Sequence, residues 1–198
     1  MRRRAELREA TQLDLLARDP VPIDGFAYQP ELIPAALERA LVAAFADLEF
    51  KEFEFHGFLG RRRVISYGAR YNFSDAKLQP APEIPSFLDP LRDLAGSFAG
   101  VHSSELRHAL VTEYQPGAAI GWHRDRPVFG DVVGISLLSP CQFRLRRKVK
   151  SKWERHRITL APRSAYLLRG PARQQWQHSI PPARQLRYSV TFRTLKMS

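Results

Sequence analysis

His123 and Asp125 stand two residues apart in GWHRD, His178 follows in WQHSI, and Arg187 and Arg193 bracket RYSVTFR near the end of the chain. Two imidazoles and one carboxylate can occupy one face of an octahedral iron(II) and leave the opposite positions open. Residues i and i+2 of a strand, or of its extended continuation, point the same way, so His123 and Asp125 can meet one ion. An isolated His-x-Asp carries little weight, because a histidine paired with a neighbouring aspartate reads the same. A catalytic zinc also accepts this donor set. Paired arginines favour iron, since a hydrolytic zinc site needs none.

The third ligand must come from the other histidines: His56, His102, His108, His156 or His178. His56 and His102 lie in loop-like surroundings. His108 begins a strand ahead of the metal loop, and His156 stands among Glu154, Arg155 and Arg157 on a charged strand. His178 sits between Trp176 and Ile180 on a short apolar strand, 55 residues after His123. That distance brings the chain back to a neighbouring strand of a jelly roll, so His178 is the favoured second imidazole. Arg187 and Arg193 are six apart, which on a regular strand puts both on one face with Ser189 and Thr191. Tyr188, Val190 and Phe192 then face a core. Burying such a polar row is costly without an anion, and a dicarboxylate offers two ends for bidentate arginine contacts. The alternative is an edge strand whose arginines face water. Tyr114 in VTEYQPG could direct its hydroxyl at the same anion, or serve as a core tyrosine.

These residues need a scaffold. A chain of 198 residues with 44% hydrophobic content suits one globular domain. Lys and Arg total 31 against 20 Asp and Glu, a formal charge of +11 that favours polyanionic partners. The single cysteine, Cys141, excludes an intrachain disulfide and a multi-cysteine zinc site. No stretch approaches the roughly 18 apolar residues of a membrane span. MRRRAELREA has no apolar run behind its basic residues, so no secretory signal is expected and a cytoplasmic location is the default.

Residues 1–20 are expected to form a charged arm ahead of a single domain, 21–198. Ile33, Leu37, Leu41, Ala44 and Leu48 predict an amphipathic helix over 31–50. A second helix is expected over 86–98, capped by Ser86 or Asp89, with Pro90 in its first turn. Short strands are expected near Phe53 and Phe55 and at 64–66. The prolines at 80, 82 and 85 predict an unpaired connection over 79–85. Seven further strands are expected at 108–114, 132–138, 142–149, 153–160, 164–169, 176–180 and 186–194, with a hairpin tip at Lys150–Lys152. On 142–149, Arg144, Arg146 and Lys148 alternate with Phe143, Leu145 and Val149, giving one basic face. Many short strands at close spacing indicate a sandwich or jelly roll with helices outside it, an α+β class.

YQPGAAIGWHRD, GISLLSP, QHSI and RYSVTFR together resemble the AlkB family of iron(II)- and 2-oxoglutarate-dependent dioxygenases. The most specific element is the R-x(5)-R spacing of Arg187 and Arg193. The resemblance covers roughly residues 60–195 and is strongest beyond 110. It implies a double-stranded β-helix over 108–198, with helices and a nucleotide-recognition lid over 21–107. It implies His123, Asp125 and His178 as Fe(II) ligands and Arg187, Arg193 and Tyr114 as contacts to 2-oxoglutarate. Thr112 and Ser189 depart from the family, where many members carry asparagine.

RRRVISYGARYNF falls where the family's lid lies. Arg61, Arg62, Arg63 and Arg70 are candidates for phosphate contact. Tyr67, Tyr71 and Phe73 are candidates for stacking on a base, and Trp122 for lining the pocket. Basic surface strands with core aromatics would read the same. The resemblance implies O2-dependent decarboxylation of 2-oxoglutarate to succinate, coupled to removal of N-alkyl groups from DNA or RNA bases. A base must leave its stack to reach such a site. The same chemistry on a non-nucleic-acid substrate and a non-catalytic nucleic-acid-binding module are the alternatives. No membrane partner is expected, and a monomer is the default.

Overall fold

The computed structural model describes residues 23–55, 58–72 and 77–196. Two antiparallel sheets face each other, and helices cover the far side of the larger one. Its strands are β1 (Phe26–Gln29), β2 (Lys51–Phe55), β3 (Phe58–Tyr67), β6 (Leu106–Tyr114), β8 (Phe129–Leu137), β11 (Ser164–Leu168) and β13 (Arg187–Leu195), in the order β1-β11-β8-β13-β6-β3-β2. The smaller sheet has the order β10-β9-β12-β7, built from β7 (Ile120–His123), β9 (Cys141–Val149), β10 (Lys152–Leu160) and β12 (Gln177–Ile180). A separate hairpin pairs β4 (Ala69–Asn72) with β5 (Lys77–Pro80). The helices are α1 (Ala35–Ala46), α2 (Asp89–Ala99) and a short α3 (Gly170–Gln174). This is the jelly-roll architecture expected from the sequence.

Strand periodicity divides the apolar residues between two cores. On β13, Tyr188, Val190 and Phe192 join Leu41 and Phe45 of α1 and Leu91 of α2 on the helix side of the large sheet. Between the sheets, Phe143, Leu145, Leu160, Trp176 and Ile180 form the second core. Phe45 is wholly buried, with its ring edge-on to Tyr188 at 5.3 Å. Burying a side chain of that size stabilises the fold by roughly 1.5–3 kcal/mol.

Several boundaries differ from expectation. The first helix starts at Ala35 because Pro34 stands at its N-cap, leaving Ile33 to pack ahead of it. The second opens as a 3-10 turn, Ser86–Leu88, and neither Ser86 nor Asp89 makes a side-chain cap. It ends at Gly100, whose φ of 67° is the left-handed conformation that closes helices. Gln79 and Pro80 are paired, contrary to the expected open connection. Pro80 is the last residue of its strand, where a missing N–H is tolerated. Strands β1, β4 and β7 have no counterpart in the sequence reading. The 1–20 arm, Phe73 and the side chains of Arg61 and Arg70 lie outside the described residues.

Candidate active site

The inner face of the large sheet forms a lattice of polar rungs. Arg187 pairs with Tyr114, Ser189 with Thr112, Thr191 with Leu110 and Arg193 with His108 across β13 and β6. On the other side Ser189 meets Ser136, which in turn meets Ser164 of β11. The two hydroxyl residues that replace asparagine are thus cross-strand partners within one hydroxyl rung. Arg187, Ser189, Thr191 and Arg193 are all buried, so the expected polar row points inward and the exposed-edge alternative is excluded.

The small sheet supplies the imidazoles. His178 of β12 is the cross-strand partner of His123 on β7, and their ring centroids are 4.2 Å apart. Between this pair and Ile180–Ile120 the two strands fall out of step by one residue, a β-bulge on β7. The extra residue reverses the alternation, so Ile120 joins the inter-sheet core while His123 also turns inward. Trp122 is thereby sent to the outer face, where Arg144 and Arg146 lie over its ring at 5.1 and 4.3 Å. It thus lies outside the inter-sheet space.

Asp125 follows β7 and is almost fully enclosed, its side chain 5% exposed. Arg193 Nε donates to its Oδ1 at 2.9 Å with Nη2 in ion-pair contact at 2.8 Å, and Arg193 Nη1 donates to His108 Nδ1 at 3.1 Å. Asp125 Oδ2 is buried without a hydrogen-bond partner and lies 3.6 Å from His178 Nε2. Two donors about 2.1 Å from one ion, at a right angle, stand about 3 Å apart, so a small contraction would let both hold a cation. His123 Nδ1 lies 2.9 Å from the Gly121 carbonyl. Donation there leaves Nε2 unprotonated and able to bind metal. The donor set has the chemistry of a divalent-metal site, although among the described residues no three such side chains already stand close enough to share one ion.

The charges agree. Burial works to raise the Asp125 carboxyl, but Arg193, His178, His123 and Arg173 hold it well below the ordinary carboxylate range. Burial, with His123 and Arg193 adding to it, pushes His178 down to about 3. Burial likewise lowers His123, with Arg62 and Arg193 contributing. Neutral imidazoles beside an ionised carboxylate are the protonation states a metal requires.

Arg187 is 1% exposed, and its guanidinium lies 4.4 Å over the Tyr114 ring. Its Nη2 donates to Ser136 Oγ at 3.1 Å, while Nε and Nη1 are buried without partners. Buried guanidinium N–H groups left in this way suit an anion.

The arginines of β3 separate by face. Arg62 is the cross-strand partner of Tyr114, faces the inter-sheet space and hydrogen-bonds the Tyr114 side chain. Burial lowers its pKa, and its charge is felt at Asp125 and Arg193. Arg63 points to the helix side, where Nε and Nη2 grip Glu113 at 2.8 and 2.9 Å. Arg62 is thus turned into the inter-sheet space, while Arg63, its side chain 43% exposed, is committed to Glu113. Tyr67 is a core residue, 9% exposed. Tyr71 stays beside the site, with Arg126 of the metal loop 5.1 Å over its ring.

Sequence reasoning missed His108, Ser136, Tyr166 and Arg173. The first two are inward residues of β6 and β8 that strand parity alone would have found. Tyr166 crosses Gly134, where a Cβ would come within 2.2 Å of its ring. Burial, with the nearby Asp125 and Tyr114, pushes its phenol far up. Arg173 donates to the carbonyls of Arg126 at 2.5 Å and Phe129 at 3.1 Å, latching the loop that carries Asp125 to α3.

A family profile described as the 2OG-Fe(II) oxygenase superfamily matches residues 43–193. An Arabidopsis thaliana protein named alkylated DNA repair protein ALKBH8 homolog is 28% identical over 183 residues, covering 80% of this chain and 51% of that protein. The uncharacterized protein L905 of Acanthamoeba polyphaga mimivirus is 31% identical over 150 residues, covering 68% of this chain and 70% of its own. The chain therefore spans about half the length of the plant relative. Among solved structures, OsALKBH1 superposes with a TM-score of 0.65 at 13% identity, covering 86% of this chain and 96% of that one. A Pseudomonas putida prolyl-4-hydroxylase gives 0.62 at 16% identity, covering 96% and 99%.

Proposed function

We propose, from the premise that this chain belongs to the 2OG-Fe(II) oxygenase superfamily as an AlkB-like member, that it oxidatively removes N-alkyl groups from nucleic-acid bases. Membership implies Fe(II), 2-oxoglutarate and O2 as cofactor and co-substrates. The observation that carries the site assignment is the buried Arg187, with two unpartnered N–H donors, in the same inter-sheet space as His123, Asp125 and His178. The net charge of +11 and the alkylated-DNA-repair name of the plant relative support a nucleic-acid substrate.

In this reading His123, Asp125 and His178 would hold the iron. When bound, iron with 2-oxoglutarate and O2 supplies the oxidation, releasing succinate and carbon dioxide and placing one oxygen atom on the substrate carbon. Arg187, with its guanidinium over the Tyr114 ring, would hold a carboxylate of the co-substrate. Arg193 keeps Asp125 ionised and fixes its free oxygen in place. The hydroxyls of Thr112 and Ser189 line the span between the two arginines. Tyr166 and Phe143 exclude water from the imidazole side. Tyr71, beside Arg126, forms a wall against which an unstacked base can lie.

The test is succinate formation by anaerobically iron-loaded protein, started with O2 and 2-oxoglutarate, with and without an oligonucleotide carrying 1-methyladenine or 3-methylcytosine. Succinate coupled to loss of the methyl group is expected, and its abolition in His123→Ala. Succinate formation indifferent to the oligonucleotide, with the methyl group intact, would direct the substrate search to other classes.

A further inference from the structure

The small sheet has a second face, and the metal site does not use it. Opposite the imidazoles, cross-strand register places Lys148 beside Trp153, Arg146 between Arg155 and Gln177, and Arg144 between Arg157 and Ser179. Trp122 of β7 completes the surface under Arg144 and Arg146. The one acid of this hairpin, Glu154, belongs to the other face, where it pairs with Arg147 at 2.7 Å. Among the described residues, none of the five cations of the outer face has an ion-pair partner.

Like charges directly opposite on neighbouring strands repel, and here two such pairs, Arg146–Arg155 and Arg144–Arg157, stand in adjacent rungs. The inner two arginines are held in place. Arg146 lies between Trp122 and Trp153 at 4.3 and 4.4 Å and donates Nε to Gln177 at 2.8 Å. Arg144 donates Nε to Ser179 at 3.0 Å. Guanidiniums fixed by stacking and by one N–H lose little freedom on meeting an anion. Residues i and i+2 recur about 6.7 Å apart along a strand, a spacing on the scale of successive phosphates in an extended polynucleotide. The face also runs on to the site. Arg124, between the two metal-loop residues His123 and Asp125, lines a shallow hollow with Arg146, Lys148 and Trp153.

We infer that this outer face holds the phosphate backbone of a single-stranded nucleic acid on one side of the nucleotide that enters the site. The inference rests on the nucleic-acid reading above and extends it by assigning the surface that gives the strand its affinity. Arg155 and Arg157 are exposed and belong to no part of the catalytic set.

The experiment compares the iron-loaded wild type with Arg155→Gln/Arg157→Gln and with Arg39→Gln, an exposed cation of α1, as control. Fluorescence anisotropy with a 20-nucleotide single strand is measured across KCl concentrations, and demethylation of that strand is compared with that of a methylated trinucleotide. Expected is a roughly tenfold weaker affinity for the double variant and a salt slope shallower by about 1.4, two phosphate contacts at 0.7 each. Arg39→Gln and trinucleotide turnover should be unchanged. Equal slopes in wild type and double variant, with trinucleotide turnover intact, would overturn the assigned surface and leave the demethylase reading standing. Slope-dependent binding without turnover of either substrate would support the surface and overturn the demethylase reading. Binding to phosphatidylglycerol vesicles with none to the oligonucleotide would overturn the inference in favour of a membrane.

Discussion

Arg187 is the residue whose surroundings ask most for a ligand. Two of its N–H groups are buried and unpartnered, and each such group costs about 1–3 kcal/mol. Replacing it by methionine removes that cost while keeping the volume. Metal-free Arg187→Met should therefore melt a few degrees above wild type, since about 1 kcal/mol shifts the melting temperature of a chain this size by a few degrees. The same variant should lose the stabilisation that 2-oxoglutarate gives the wild type. Thermal scans with and without 2-oxoglutarate check both halves. A lower melting temperature in the ligand-free variant would mean that Arg187 is held mainly by Ser136 and the Tyr114 ring.

At the scale of elements, the bulge on β7 decides which side of the small sheet His123 faces. Deleting Gly121 removes the extra residue, so Ile120 and His123 become two apart on a regular strand and both still face inward. The deletion should keep the far-UV circular dichroism of the sheets and retain iron(II) binding; abolished binding would show that the bulge itself, and not strand alternation alone, aims the ligand. The same bulge explains what was and was not legible in the sequence. Strands β8 to β13 could be read because each keeps a period of two with one face in a core. β7 could not, being four residues long with a glycine and a reversal inside it. Arg62 and Arg63 were indistinguishable locally, since only the register of β3 on β6 sends one to Tyr114 and the other to Glu113. The convergence of the proposed metal and co-substrate residues was legible because their chemistry left few alternatives among six histidines and one inward arginine pair.

For the whole molecule, His108, His123 and His178 together tie stability to pH. All three are lowered from 6.5, with burial the largest cause in each. Below pH 6.5 the unfolded chain takes up protons that the native protein does not, so stability falls as the pH falls. His178, held down to about 3, contributes about 1 kcal/mol of loss between pH 7 and 5.5, and His108 and His123 add to it in the same direction. Urea titrations of metal-free protein at the two pH values should show the decline, and His108→Gln, which leaves the proposed ligands intact, should lessen it. The carboxylates act lower: Asp125 and Glu113 are held below their ordinary values, so their contribution is present above that range and fades in stronger acid.

The division of the site between two layers has a mechanical side. Both imidazoles ride on the small sheet and both anchoring arginines on the large one, so metal and 2-oxoglutarate together would form a cross-brace joining two plates. The brace should be felt far from the ligands. Amides along β9 and β12 should exchange with deuterium more slowly once both components are present than with either alone. Such a frame stiffens only when fully loaded, and the tension it carries would reach the basic outer surface of the same plate.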